Sequence, residues 1–290
     1  MKTKFLLFVA LFSITFFIGC STNESVDVPL TSSIITNDDV IANSEIDTSL
    51  DDVTIIAEDQ FSVQQSLTTK TSGPVKSILP LCATINTVVG TDSYTKTIDF
   101  GTLGCTMPNG NVLKGKIIIS FSKSTTLGLK TISYVLENFY HNDKLIEGNK
   151  TITHEMKSTE LLATVHSVST HSIDVKVTFP DGKVYTRIGT RVREMTEGFA
   201  TVGNWEDNVF LVWGYNITTF PNGSKYTSTI KTPLRFNSSC KMPFPVSGIV
   251  EITKNDDLAT LDYGNGECNN LATMATNGES KVIELRRNKM

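Results

Sequence analysis

Residues 173–193 read Ile-Asp-Val-Lys-Val-Thr-Phe179-Pro-Asp-Gly182-Lys-Val-Tyr-Thr-Arg-Ile-Gly-Thr-Arg-Val-Arg193. β-Branched and aromatic residues flank Pro-Asp-Gly on both sides, the composition of two strands joined by a tight turn. Strands are expected over 173–179 and 183–193. The turn recurs at Met107-Pro-Asn-Gly110, Phe220-Pro-Asn-Gly223 and Ala275-Thr-Asn-Gly278. Asn-Gly and Asp-Gly tolerate the positive φ that twist-matched hairpins require. Two copies extend further, as Phe-Pro-Asp-Gly-x-x-Tyr-Thr ending at Thr186 and Phe-Pro-Asn-Gly-x-x-Tyr-Thr ending at Thr227. Similar short runs over 94–100, 112–121, 131–139, 144–153, 161–169, 209–219, 224–235, 248–253, 260–263 and 281–285 read as strands. The connectors leave no room for parallel crossovers. Residues 75–290 therefore predict an all-β domain: an antiparallel meander of hairpins forming a β-sandwich, with an open or half barrel as the alternative.

Upstream the pattern changes. Residues 38–65 are acidic, and Ile46, Leu50, Val53, Ala57 and Phe61 recur at near-helical spacing. Ser49 is placed to cap a helix with Asp51 and Asp52 in its first turn, where negative charge suits the helix dipole. One short amphipathic helix is expected, either packed on the domain or lying free. Residues 21–37 and 68–74 have linker composition.

The chain begins MKTKFLLFVALFSITFFIGC. Lys2 and Lys4 precede an uncharged, mostly apolar run over 5–18, which reads as a secretion signal. The run is shorter than the roughly 20 residues of a spanning helix. Its Phe17-Ile-Gly-Cys20 ending resembles a bacterial lipoprotein signal. With the strand pattern behind it, the chain is similar to lipid-anchored all-β envelope proteins common in Bacteroidota. The resemblance implies removal of residues 1–19 and acylation of Cys20. Residues 20–74 then form a tether carrying the helix. The implied address is the cell envelope, at the outer membrane and facing either the periplasm or the outside. No catalytic residue and no cofactor is implied.

Setting Cys20 aside leaves Cys82, Cys105, Cys240 and Cys268, with three possible pairings. An internal echo selects among them. Thr97-Ile-Asp-Phe-Gly-Thr-Leu-Gly-Cys105 matches Thr260-Leu-Asp-Tyr-Gly-Asn-Gly-Glu-Cys268 at Thr, Asp, Gly and Cys. Each copy has one cysteine upstream, so local disulfides Cys82–Cys105 and Cys240–Cys268 are expected, each worth roughly 3–4 kcal/mol in the chain-entropy model. Asp99 and Asp262 read as caps of the glycine turns that follow them.

The 26 Lys and Arg are outnumbered by 30 Asp and Glu, a net of −4, and loss of Lys2 and Lys4 makes the balance more negative. That argues against wrapping nucleic acid and against electrostatic docking on anionic lipid. Gly110-Asn-Val-Leu-Lys-Gly-Lys116 has phosphate-loop spacing but runs into a β-branched stretch, with Ile117 where a metal-binding hydroxyl belongs. His141 falls in a turn and is expected to be solvated. His166 and His171 are an odd number apart and should face opposite sides of one strand. No zinc spacing and no Gly-x-Ser-x-Gly elbow occurs. Asp256, Asp257, Asp262, Asn265 and Glu267 are oxygen donors without the order of a calcium loop.

Leu211, Trp213, Tyr215 and Ile217 share one face and read as core. Trp205, in a turn, is the better candidate for stacking on a glycan. Arg187, Arg191 and Arg193 also share a face and read as a solvated edge-strand surface that discourages aggregation. The functional expectation is a non-enzymatic binding or structural module with no metal and no cofactor. Its partners would be the membrane, through the acyl anchor, and a glycan or envelope protein. The alternatives are carbohydrate capture through Trp205, an apolar-ligand carrier, or an envelope hydrolase with a site assembled in space.

Overall fold

A computed structural model describes residues 35–69, 77–123, 129–201 and 206–285. One helix, α1 (Asn37–Thr69), precedes the strands. These are β1 (Thr84–Val89), β2 (Ser93–Asp99), β3 (Cys105–Thr106), β4 (Val112–Ser122), β5 (Leu129–His141), β6 (Lys144–Lys157) and β7 (His166–Thr178). They continue as β8 (Val184–Glu197), β9 (Val209–Thr219), β10 (Lys225–Asn237), β11 (Ser247–Lys254), β12 (Asp257–Asn265), β13 (Leu271–Thr276) and β14 (Glu279–Glu284). Each strand pairs antiparallel with its sequence neighbour, except that β2 pairs β4 directly and the two-residue β3 sits beside β4. The expected meander is present as one continuous 14-stranded sheet, with β1 and β14 as its edges among the described residues. Of the runs 161–169 and 173–179, residues 166–169 and 173–178 belong to the single strand β7, 161–165 lie outside any strand, and β1, β3 and β13 are additional to the expected strands.

The Pro-Asp-Gly and Pro-Asn-Gly hairpins owe their geometry to glycine. Gly182 adopts φ +82° and donates its N–H to the Phe179 carbonyl at 2.9 Å, while Phe179 donates to the Lys183 carbonyl at 2.9 Å. The Phe220–Ser224 and Met107–Asn111 turns repeat this pattern. It is a type I turn closed by a glycine bulge. The repeated Phe and Tyr of the two longer copies pack in a row of tilted and edge-on rings. Ring centroids lie 4.9 Å apart for Phe179–Tyr185, 5.2 Å for Tyr185–Phe220 and 5.7 Å for Phe220–Tyr226.

Both disulfides join the expected partners, Cys82–Cys105 and Cys240–Cys268. The echoed Asp99 and Asp262 accept from the N–H of Gly101 and Gly264, each at 2.8 Å.

α1 is 33 residues long, about 50 Å at 1.5 Å per residue, rather than short. Its start is set by a reciprocal cap. The Asp39 N–H donates to Thr36 Oγ1 at 3.2 Å and the Thr36 N–H to Asp39 Oδ2 at 2.9 Å. Ser49, expected at the cap, is mid-helix and donates to the Glu45 carbonyl at 2.8 Å, a back-bond open to serine inside a helix. The expected apolar residues do form the packed stripe, with Ile46, Leu50, Val53 and Ala57 buried. The helix is part of the core.

The sheet curls around it. Asp47 and Ser49 point about 200° apart on a helix, yet Asp47 meets Arg187 and Arg191 of β8 and Ser49 meets His141 of β5. Opposite sides of α1 thus find partners on one sheet. Two inward glycines fit the tight approach of neighbouring strands within this curve. Gly115 (φ +77°) lies at the β4–β5 bulge, and a Cβ there would stand 1.9 Å from the Asn138 carbonyl oxygen. At Gly214 (φ +126°) it would stand 2.2 Å from the Thr190 carbonyl oxygen.

The strand β9 corrects an expectation. Val209, Phe210, Val212, Asn216 and Thr218 are its buried side chains, while Leu211, Trp213 and Ile217 are half-buried and Tyr215 is 46% exposed. The apolar alternation of 211–217 lies on the outer face, while on the inner one Thr218 donates to Asn43 of α1 at 2.8 Å.

Candidate functional site

The chemistry of this chain is concentrated where α1 meets the inner face of the sheet. β2 contributes Lys96, β5 His141, β6 Lys144, Lys150 and His154, β7 His171, β8 its three arginines and β11 Lys254. α1 supplies Asp39, Glu45, Asp47, Asp51, Asp52, Glu58 and Asp59. Lys254 Nζ is 2.7 Å from Asp39, Lys144 is 3.6 Å from Glu45, and Arg193 is 2.6 Å from Glu58. Arg187 and Arg191 converge on Asp47. Arg187 is 1% exposed, and donates also to Thr218 Oγ1 at 3.0 Å and Asn43 Oδ1 at 2.6 Å. The three arginines do share a face, as expected, but it is the inner one. β8 is a central strand, so the expected solvated edge surface is overturned.

Burial and neighbouring charge set the protonation here. Burial alone would raise Asp47, but the flanking Arg187 and Arg191 outweigh it and hold the carboxyl below its usual range. Asp51 is raised by burial, with Asp47 adding to the effect and Arg191 opposing it. Lys150 is pushed down to about 8 by burial, against the attraction of Asp51. His171 falls well below its ordinary value through burial and then through the positive charge of Lys150 and Arg193. Burial also lowers His154. His154 and His171 stand 3.9 and 4.0 Å from the same Glu58 oxygen.

At the turn end of the sheet, Ser49, His141 and Asp52 come together. His141 Nδ1 lies 3.0 Å from Ser49 Oγ, and Nε2 lies 2.8 Å from Asp52 Oδ2. Asn109 and Asn111 fix the carboxylate from the other side, at 3.0 and 2.6 Å. The contacts have triad reach, but the serine is held within the fold. The Ser49 hydroxyl also donates to the Glu45 carbonyl at 2.8 Å, so that carbonyl competes with His141 Nδ1 for its single hydrogen. Ser49 is also 0% exposed. His141 is the last residue of β5 and is buried, not solvated as expected, because α1 covers the strand end and supplies both its partners.

His166 is on the opposite face from His171, as the odd spacing requires. Its Nε2 is 2.7 Å from Glu194 Oε1 and its Nδ1 is 2.6 Å from the Thr164 carbonyl. Among the described residues no group of three or more His, Cys, Asp or Glu is arranged to hold a metal ion. Between α1 and strands β8–β12 there is a cavity of about 30 Å³, bordered by Asp47, Arg191, Tyr226 and Tyr263, room for one or two waters. Cys20 and Trp205 lie outside the described residues. Sequence reasoning missed the acidic helix and the basic strands as two halves of one interface. The signal was present in opposite charge on 38–59 and on the period-two positions 187, 191 and 193.

Compared with known proteins, the chain matches no family model, no curated sequence and no solved structure.

Proposed function

We propose that the chain is a lipid-anchored protein of the cell envelope whose β-domain binds or scaffolds and does no chemistry. The observation that carries the non-enzymatic reading is the engagement of the reactive groups with α1. Ser49, His141, Lys150, His171 and Arg187 are buried, and their polar atoms meet partners within the fold. The leader over 1–19 and Cys20 support the anchor. Replacing Cys20 by Ser tests it. Palmitate labelling should disappear and the chain should leave the membrane pellet, whereas retention at unchanged size and labelling would refute the anchor.

A second reading, carbohydrate capture, is favoured by the outer face of β9. Trp213 and Tyr215 stand two residues apart on one side, about 7 Å by strand rise. The residues opposite Tyr215 are Thr190 and Thr229, which carry hydroxyls rather than charges. Trp213 stands opposite Val192, and an aromatic pair with hydroxyls beside Tyr215 suits the apolar face and polar rim of a pyranose. Affinity electrophoresis through polysaccharide gels should show retardation that Trp213→Ala reduces at least about fivefold. Retardation unaltered in this variant and in Trp205→Ala would remove the reading.

A further inference from the structure

We propose that the free edge of β1 is a self-association surface, pairing antiparallel with β1 of a second copy about a two-fold axis through Thr87.

The direction of the backbone groups follows from the turn. The Gly90 N–H donates to the Ser93 carbonyl at 2.9 Å, so the even-numbered residues of β1 bond to β2. By the alternation of an antiparallel ladder, Ile85, Thr87 and Val89 direct their N–H and C=O away from it. Among the described residues no strand pairs β1 on that side. All six residues of β1 are exposed, with Ile85 at 47%, Val88 at 57% and Val89 at 64%.

The two edges of the sheet are built differently. β14 carries Glu279, Lys281 and Glu284, the charges that keep natural edges from pairing. β1, Thr-Ile-Asn-Thr-Val-Val, has no charge, no proline and an unbroken register from Thr84 to Val89. An edge without these guards, rich in β-branched residues, is a template for another strand.

The occupant follows from self-complementarity. A two-fold axis perpendicular to the sheet keeps each face on its own side, so only residues of like parity can stand opposite each other. With Thr87 opposite Thr87, Ile85 meets Val89 of the second copy and Val89 meets its Ile85. All three outward-bonding residues are then used, giving about six new hydrogen bonds. The shared face becomes a row of Ile–Val, Thr–Thr and Val–Ile pairs with no like charges opposed. One short strand per copy is small against a standard interface, so association should be weak and concentration-dependent.

Oxidative cross-linking of the full chain in its membrane tests this, independently of any ligand. Thr87→Cys would face its own symmetry mate at a Cα separation of about 5.5 Å, within disulfide range. Copper-phenanthroline should convert it to a species of twice the monomer's mass, at a yield about tenfold above that of Asn86→Cys and of Val282→Cys on the opposite edge. Adding Val89→Pro removes an outward N–H without touching the β1–β2 ladder, and should cut the yield several-fold. No cross-link at position 87, equal yields at all three positions, or a yield indifferent to Val89→Pro would overturn the proposal.

Discussion

Replacing Lys150 by Met should make this protein more stable at neutral pH. Lys150 projects from β6 into the helix–sheet interface, is 2% exposed, and donates a hydrogen bond to Thr54 Oγ1. A fall from 10.5 to about 8 corresponds to roughly 3 kcal/mol against the charged form. Met fills a similar volume without the charge. Thr54 keeps its bond to the Leu50 carbonyl at 2.7 Å, so no donor is orphaned. The gain at pH 7 should be about 2–3 kcal/mol, or roughly 5–10 °C in Tm for a chain of this size. The pH dependence is specific. Between about pH 8 and 10.5 the unfolded chain still holds the lysine proton that the native state has released, so the natural protein gains stability as pH rises. The advantage of Lys150→Met is therefore full below pH 8 and shrinks across that window. Urea titrations of both proteins at pH 7, 9 and 10 read it directly. A variant less stable at pH 7, or an advantage equal at pH 7 and pH 10, would refute the reasoning.

Other perturbations have definite signs. Arg187→Ala leaves Asn43 and Thr218 without their shared donor and halves the cations on Asp47. It should cost about 3 kcal/mol, as breaking a buried pair does, seen as a lower urea midpoint. Gly115→Ala forces a Cβ against the Asn138 carbonyl oxygen at a positive-φ position, and should lower stability by about 3 kcal/mol. The same change at solvent-facing Gly182, with no atom within 4 Å of its Cβ site, should cost less, with strain alone to oppose it.

The buried seam between α1 and the sheet is an unusual way to fill a curved sheet. Buried ion pairs add little net stability against apolar packing, because desolvation offsets attraction. What they do here is tie points along the helix to separate strands. Several acids of α1 meet particular strands, Asp39 on β11, Asp47 on β8 and Asp52 at the end of β5. A slide by one helical turn would separate these pairs and leave charges buried alone.

Much of the architecture was legible because it is local. Turn chemistry at Phe179-Pro-Asp-Gly182 and its repeats, β-branched runs and short connectors dictate antiparallel hairpins whatever lies beyond them. The echo around Cys105 and Cys268 carried the disulfides, since matching Asp-capped glycine turns put each cysteine in the same setting. Which face of each strand is inside was not legible. Alternation in β9 marks two faces, but it takes the charged helix within the curve to bury Asn216 and Thr218 and turn Trp213 and Tyr215 outward. The same inversion hid Arg187, Arg191 and Arg193. Hydropathy assigns the apolar face to the core only when the core itself is apolar. Where the chain packs an acidic helix inside its own sheet, burial follows charge complementarity between segments some 140 residues apart, and only the tertiary structure brings those together.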